Sequence, residues 1–151
     1  MQTSMTRSVS ALGMEGIAVR EAVLYERLVR TLQSVPGVHL IGAAPGVPSH
    51  GPGEAAGARA SAGRRASEGA GRRASAVSFL LGDIHPHDVG TALDLEGVAV
   101  RTGQHCTQPV MDHFGIPATV RASLGVYTTE ADIDSLAEAL ERARVTLGDT
   151  A

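Results

Sequence analysis

The sequence contains no lysine: all 13 basic residues are arginine. A lysine amine of this chain is therefore excluded as Schiff base, general base or phosphate clamp. Tryptophan is absent too, and two Phe and two Tyr complete the aromatic set. Base-stacking platforms for single-stranded nucleic acid are excluded with them, and the core must be aliphatic. The single cysteine, Cys106, permits neither an intrachain disulfide nor a multi-thiolate zinc site. A lone thiol suits a reducing compartment. No sustained apolar h-region opens the sequence and no run approaches the ~18 apolar residues that span a bilayer, so the expected location is cytoplasmic, with no membrane partner. A length of 151 residues favours one domain.

Charge is unevenly spread along the chain. Residues 1–53 carry four Arg against three acids, residues 54–75 five Arg against two Glu, and residues 76–151 four Arg against eleven acids. The acidic C-terminal half argues against a polyanion-binding surface, and no specific nucleic-acid partner is expected.

Ser10 reads as an N-cap, followed by Met14, Ile17, Ala18, Leu24, Leu28 and Leu32 at helical spacing, which predicts an amphipathic helix of about 24 residues. Pro36-Gly37 stops it, and Val38 to Ile41 reads as a strand. From Ala43 to Ser75 the composition becomes Gly, Pro, Ala, Ser and Arg, with Ala-Gly-Arg-Arg-Ala-Ser at 62–67 repeated at 70–75. Such a stretch buries too little apolar surface to fold and is read as a flexible insertion. Ala76 to Leu81 reads as a buried strand. Pro86, Asp88, Val89, Ala92 and Leu93, ended by Gly97, read as a short helix. Val98 to Arg101 reads as a strand broken by Gly103, Gly103 to Cys106 as a loop, and Pro109 to Phe114 as a short helix. Thr119 to Val126 reads as another strand. Thr129 with Asp132 forms a capping box before a helix with Ile133, Leu136, Ala137, Leu140 and Leu147 on one stripe. The expected fold is α+β, a small sheet with helices packed on one face. Its expected division is a tail over 1–9, one domain formed by 10–42 and 76–148, and the insertion over 43–75.

Cys106 follows a strand on a glycine-hinged loop with His105 adjacent and Arg101 and Arg121 within fifteen residues. Loops after strands carry nucleophiles, and positive charge nearby favours a thiolate; an ordinary buried cysteine is the competing reading. His85 and His87 with His105 and Cys106 fit no common zinc spacing. Ser67 and Ser75 each end an Arg-Arg-Ala-Ser unit of the kind that basophilic kinases use, though compositional drift in the insertion accounts for both. Arg142 and Arg144 are expected to complement the last helix's dipole.

A series of motifs then carries a resemblance. Val77-Ser78-Phe79, Ile84-His85-Pro86-His87-Asp88-Val89, Gly97 through Gly103, His105-Cys106, Phe114 through Thr119, Arg121-Ala122-Ser123 and Tyr127-Thr128-Thr129 together resemble the C-terminal domain of SufS-type cysteine desulfurases, pyridoxal-phosphate enzymes of the class V aminotransferase family. Ala11 through Ile17 and Val35-Pro36-Gly37-Val38 resemble the segment just upstream, and the arginine-rich insertion departs from the family. The resemblance implies the small domain of a fold-type I enzyme. It implies Cys106 as the nucleophile that takes sulfur from L-cysteine as a persulfide and releases L-alanine, His105 as an aid to proton movement, and Arg121 as receiver of the substrate carboxylate. Gln104 stands where a second histidine is frequent, and Thr107 where a small apolar residue is usual. The cofactor lysine lies in a large domain that has no counterpart here. Pyridoxal phosphate is therefore expected in the complete enzyme and not on this chain alone, which needs a large-domain or homodimer partner and, for iron-sulfur cluster assembly, a sulfur acceptor. A stand-alone persulfide carrier, a dimer-partner module and a nonfunctional fragment stay open as alternatives.

Overall fold

A computed structural model of the chain describes residues 13–41 and 75–148. The expectations for the tail, for Ser10 as a cap and for nearly all of the insertion lie outside those residues. The elements are α1 Met14–Ser34, β1 Val38–Ile41, β2 Ala76–Leu81, α2 Pro86–Leu95, β3 Arg101–Gly103, α3 Gln108–Phe114, β4 Thr119–Ser123 and α4 Glu130–Gly148. The strands form one antiparallel sheet in the order β1-β2-β4-β3. This is the expected α+β architecture.

Alternation decides the two faces of the sheet. On β2, Val77, Phe79 and Leu81 are buried while Ala76, Ser78 and Leu80 between them are half exposed, so the run read as wholly buried has one open face. Its buried side joins Val120 and Ala122 of β4, Leu24, Leu28, Val29 and Leu32 of α1, Val89 and Leu93 of α2, and Ile133, Leu136, Ala139, Leu140 and Ala143 of α4 in one aliphatic core. Each fully buried leucine there contributes about 1.5–3 kcal/mol by leaving water. The α1 stripe is shorter than its periodicity predicts: Ala18 is exposed and Ile17 half-buried. The first turns of α1 lie at the core's edge, where Arg20 donates to the Thr128 carbonyl at 3.1 Å and Ser75 Oγ donates to Glu21 at 2.8 Å. Farther along, Arg27 bridges to Glu130 and Asp134 at 2.8 and 2.9 Å, fastening α1 to α4.

The capping box forms as expected: the Thr129 N–H donates to Asp132 Oδ2 at 2.8 Å and the Asp132 N–H to Thr129 Oγ1 at 3.3 Å. Pro86 opens α2, with His85 as N-cap accepting the His87 N–H at Nδ1. Arg142 and Arg144 depart from expectation. Neither occupies the last turn; Arg142 pairs with Glu96 at 3.0 Å and Arg144 with Glu141 at 2.6 Å.

The strand expected over Val98 to Arg101 begins only at Arg101 and runs into Gly103. Gly97, at φ +77°, turns the chain and the Val98 N–H returns to the Leu93 carbonyl. Val98 to Val100 and the Ala122 to Leu124 end of β4 then line a cleft of about 470 Å³, and pairing starts below it. β4 likewise stops at Ser123, because the Leu124 N–H is taken by the Ser75 carbonyl at 2.6 Å.

β3 is seated on α2 through Gly90, where an added Cβ would lie 2.5 Å from Thr102 Cγ2. Gly90→Ala should therefore lower stability despite the roughly 1 kcal/mol that alanine adds to a helix interior, because overpacking costs about 1–3 kcal/mol and the branched Thr102 side chain has few rotamers to escape into. Removing the offending methyl with Thr102→Ser should restore most of the loss. Urea unfolding of both single variants and the double variant measures this, and additive losses would mean the two residues do not press on each other.

Candidate active site

The Cys106 loop is built as a tight reversal after β3. Gln104 to Thr107 closes with the Thr107 N–H on the Gln104 carbonyl at 2.9 Å, and Thr107 Oγ1 donates to the same oxygen at 2.6 Å. The two central residues, His105 at φ +53° and Cys106 at φ +61°, both lie in the left-handed region. That sign pattern belongs to type I′ turns, which usually call for Asn and Gly, and side chains held there cost on the order of 1–3 kcal/mol each. The reversal puts Cys106 at the turn's apex with its thiol free and the residue exposed. It is thus not the buried structural cysteine of the competing reading. Thr107, standing where the resemblance has a small apolar residue, supplies the hydroxyl that locks the turn.

His105 points back to the sheet. Its Nε2 shares a hydrogen bond with Thr119 Oγ1 at 3.1 Å, while Nδ1 is buried without a partner. Thr119 is wholly buried. It lies two residues before Arg121 on β4, and its Cα partner is Gly103, two residues after Arg101 on β3. Period-two alternation therefore brings Thr119, Arg121 and Arg101 to one face, with the loop carrying His105 directly beyond. Arg101 and Arg121 are direct cross-strand partners, and Ser78 of β2 is opposite Arg121 on the other side. The structure sets His105 against Thr119 and within reach of the Arg121 charge, with Cys106 next to it at the turn's apex; the sequence reading misses Thr119. Its spacing of two from Arg121 is the signal that would have placed it there.

Desolvation, and then the charge of Arg121, hold His105 below the usual histidine range; Arg101 acts in the same direction and a hydrogen bond with Thr119 opposes them. The folded state thus favours the neutral ring and the unfolded chain binds the proton more readily, so His105 contributes stability above about pH 6.5 that is lost as pH falls through the window from 6.5 to its depressed value. His105→Gln should flatten this part of the stability-pH profile. Melting temperatures of parent and variant between pH 5 and 8 measure the difference, and parallel profiles would show that His105 does not carry it.

His85 and His87 stack on each other, with ring centroids 5.7 Å apart and planes 8° from parallel. His87 Nδ1 lies 3.4 Å from Thr102 Oγ1, so both rings serve the start of α2 and its contact with β3. Among the described residues no three His, Cys, Asp or Glu side chains converge as metal ligands, and no helix there is long and apolar enough to cross a membrane.

With this geometry in view, comparison with known proteins is informative. The aminotransferase class-V family profile matches residues 59–136, more than half of the chain. A probable cysteine desulfurase of Streptomyces coelicolor is 40% identical over 136 residues, covering 90% of this chain and 27% of that protein. A probable cysteine desulfurase of Xylella fastidiosa is 36% identical over 93% of this chain and 27% of its own length, and a cysteine desulfurase of Pectobacterium carotovorum is 37% identical with coverages of 93% and 28%. Among solved structures, a cysteine desulfurase from Thermococcus onnurineus superposes with a TM-score of 0.67 at 29% identity, covering 90% of this chain and 28% of that one. The Escherichia coli cysteine desulfurase CsdA shares the fold, with a TM-score of 0.63 at 23% identity, over 89% of this chain and 27% of that one. The chain thus spans little more than a quarter of the length of these relatives, and its α+β sandwich is part of the fold that pyridoxal-phosphate enzymes of fold-type I use. On both sequence and fold, the chain belongs to the class-V aminotransferase family.

Proposed function

We propose that the chain supplies the sulfur-accepting part of a cysteine desulfurase, converting L-cysteine to L-alanine with the sulfur retained as a persulfide on Cys106. The observation that carries this reading is the free, exposed thiol at the apex of a left-handed turn, launched from a strand that presents Arg101 beside Arg121. In the step assigned to this chain, the Cys106 Sγ electron pair forms an S–S bond as the substrate's C–S bond breaks. The carbon leaves as alanine once it takes a proton. Arg121 receives the carboxylate, for which the planar guanidinium fork is suited, and neutral His105 is an acceptor for a proton beside the thiol.

Pyridoxal phosphate is held in such enzymes through a lysine amine, and this sequence has none. The residues present do not fit that linkage. A cofactor-bearing large domain, in trans or in the same polypeptide, must supply it, with residues 43–75 as an insertion within the smaller domain. Delivery of the persulfide sulfur to an acceptor protein for iron-sulfur cluster assembly completes the proposed role. The test mixes the chain with a full-length cysteine desulfurase whose own nucleophile has been replaced by alanine, adds L-cysteine, and reads the mass of Cys106 peptides. Gain of one sulfur atom on Cys106 is the expected result. Persulfide confined to other molecules, with alanine formed regardless, would defeat the proposal.

A further inference from the structure

Arg101 and Arg121 pose an electrostatic problem that the sheet itself does not solve. They are direct cross-strand partners on the open face, and like charges so placed repel across a β-pair. Among the described residues no carboxylate lies within ion-pair distance of either, whereas Arg27 pairs with Glu130 and Asp134, Arg142 with Glu96 and Arg144 with Glu141. Arg121 is half-buried and its Nε–H has no acceptor. The neighbouring His105 leaves Nδ1 equally unmatched and feels both guanidinium groups. A buried polar atom without a partner is costly, and here two, Arg121 Nε and His105 Nδ1, lie beside two positive charges that no ion pair compensates.

We propose that Arg101 and Arg121 form a two-guanidinium clamp for a small oxyanion, with Arg101 as a second binding residue for the carboxylate of the amino-acid substrate. This deepens the role given to Arg121 in the proposed function and rests on it. The bound anion accepts the Arg121 Nε–H, draws the exposed Arg101 fork over its other oxygen, and converts cross-strand repulsion into two charge-assisted interactions. A tetrahedral oxyanion also carries negative charge, so geometry separates the two sources: a carboxylate is planar and a sulfonate tetrahedral.

The clamp predicts an opposition between stability and binding that a merely structural arginine would not produce. In low salt, Arg101→Gln should melt higher than the parent because the repulsion is gone. It should also lose affinity for acetate on the order of tenfold, the loss of one charge-assisted hydrogen bond. The experiment titrates the full chain with sodium acetate, and separately with sodium methanesulfonate, at constant ionic strength, following the Arg121 Nε–H resonance and the Gly103 and Thr119 amides together with the melting temperature. Saturable acetate shifts in the parent, weaker shifts with methanesulfonate and the two effects in Arg101→Gln are expected. Arg101→Lys should fall between, keeping charge without the fork. If Arg121→Gln abolished acetate binding while Arg101→Gln left it unchanged, the clamp would be wrong and the role of Arg121 would stand. A parent unresponsive to acetate, or one preferring methanesulfonate, would also overturn it. Persulfide formation on Cys106 is read independently, so none of these results decides the desulfurase proposal.

Discussion

Cys106→Ser should reduce persulfide formation to background in an assembly that supplies the cofactor-bearing domain, while cysteine still binds. The exchange is nearly isosteric at an exposed position, so neither turn nor core is disturbed. The hydroxyl is a far poorer nucleophile toward sulfur than a thiolate. Because Arg121 belongs to β4 and not to the loop, the carboxylate contact survives the change. Cyanolysis of trapped persulfide measures the product, and a spectral titration with cysteine measures binding. Full turnover by Cys106→Ser would remove the residue from the chemistry. Loss of both binding and persulfide would instead mean that the left-handed turn needs the thiol to keep its shape.

That turn also marks where sequence reading succeeds and where it stops. Helix ends were legible when local chemistry sets them: Pro86 opens α2, and Thr129 with Asp132 opens α4 through reciprocal hydrogen bonds. The helices' inward faces followed from spacing of three and four, apart from Ala18, which is exposed only because the core ends before it. The start of β3 was not legible. It depends on where β4 can pair, and that is fixed by the Ser75 carbonyl and by the cleft flanking Val98 to Val100, contacts between residues far apart in sequence. Gly103 argues locally for a strand end, yet it pairs with Thr119 at φ +125°.

The site divides in the same way. Residue type and position single out Cys106, His105, Arg101 and Arg121 as candidates, and the roles proposed for them come with the resemblance. Their arrangement needed the register that sets Arg101 against Arg121 and Gly103 against Thr119. Charge complementation of helix carbonyls by Arg142 and Arg144 was a local rule overridden by nearer carboxylates on Glu96 and Glu141. Ion pairs of that exposure are weak, so the misreading concerns partners more than stability.

Arg121→Lys should separate binding from nucleophilicity. Lysine keeps the positive charge but presents an ammonium point in place of two parallel N–H donors, and it removes the buried Nε–H that now lacks an acceptor. In the cofactor-bearing assembly, cysteine binding should weaken by about 1.5–3 kcal/mol, the contribution of a hydrogen bond to a charged group, or roughly tenfold to a hundredfold in Kd. Two consequences oppose each other at the same residue: relief of the unmatched donor helps the unliganded fold, and loss of the fork harms the complex. Melting of the unliganded chain should therefore not fall while the titration midpoint moves. The rate at which iodoacetamide alkylates Cys106 should be close to the parent's, since the turn is closed by Gln104 and Thr107 without Arg121. Spectral titration with L-cysteine and timed alkylation on one preparation give both readings. Cysteine bound as tightly as by the parent would dismiss Arg121 as the carboxylate's partner. Slowed alkylation with unchanged binding would move its influence to the thiol.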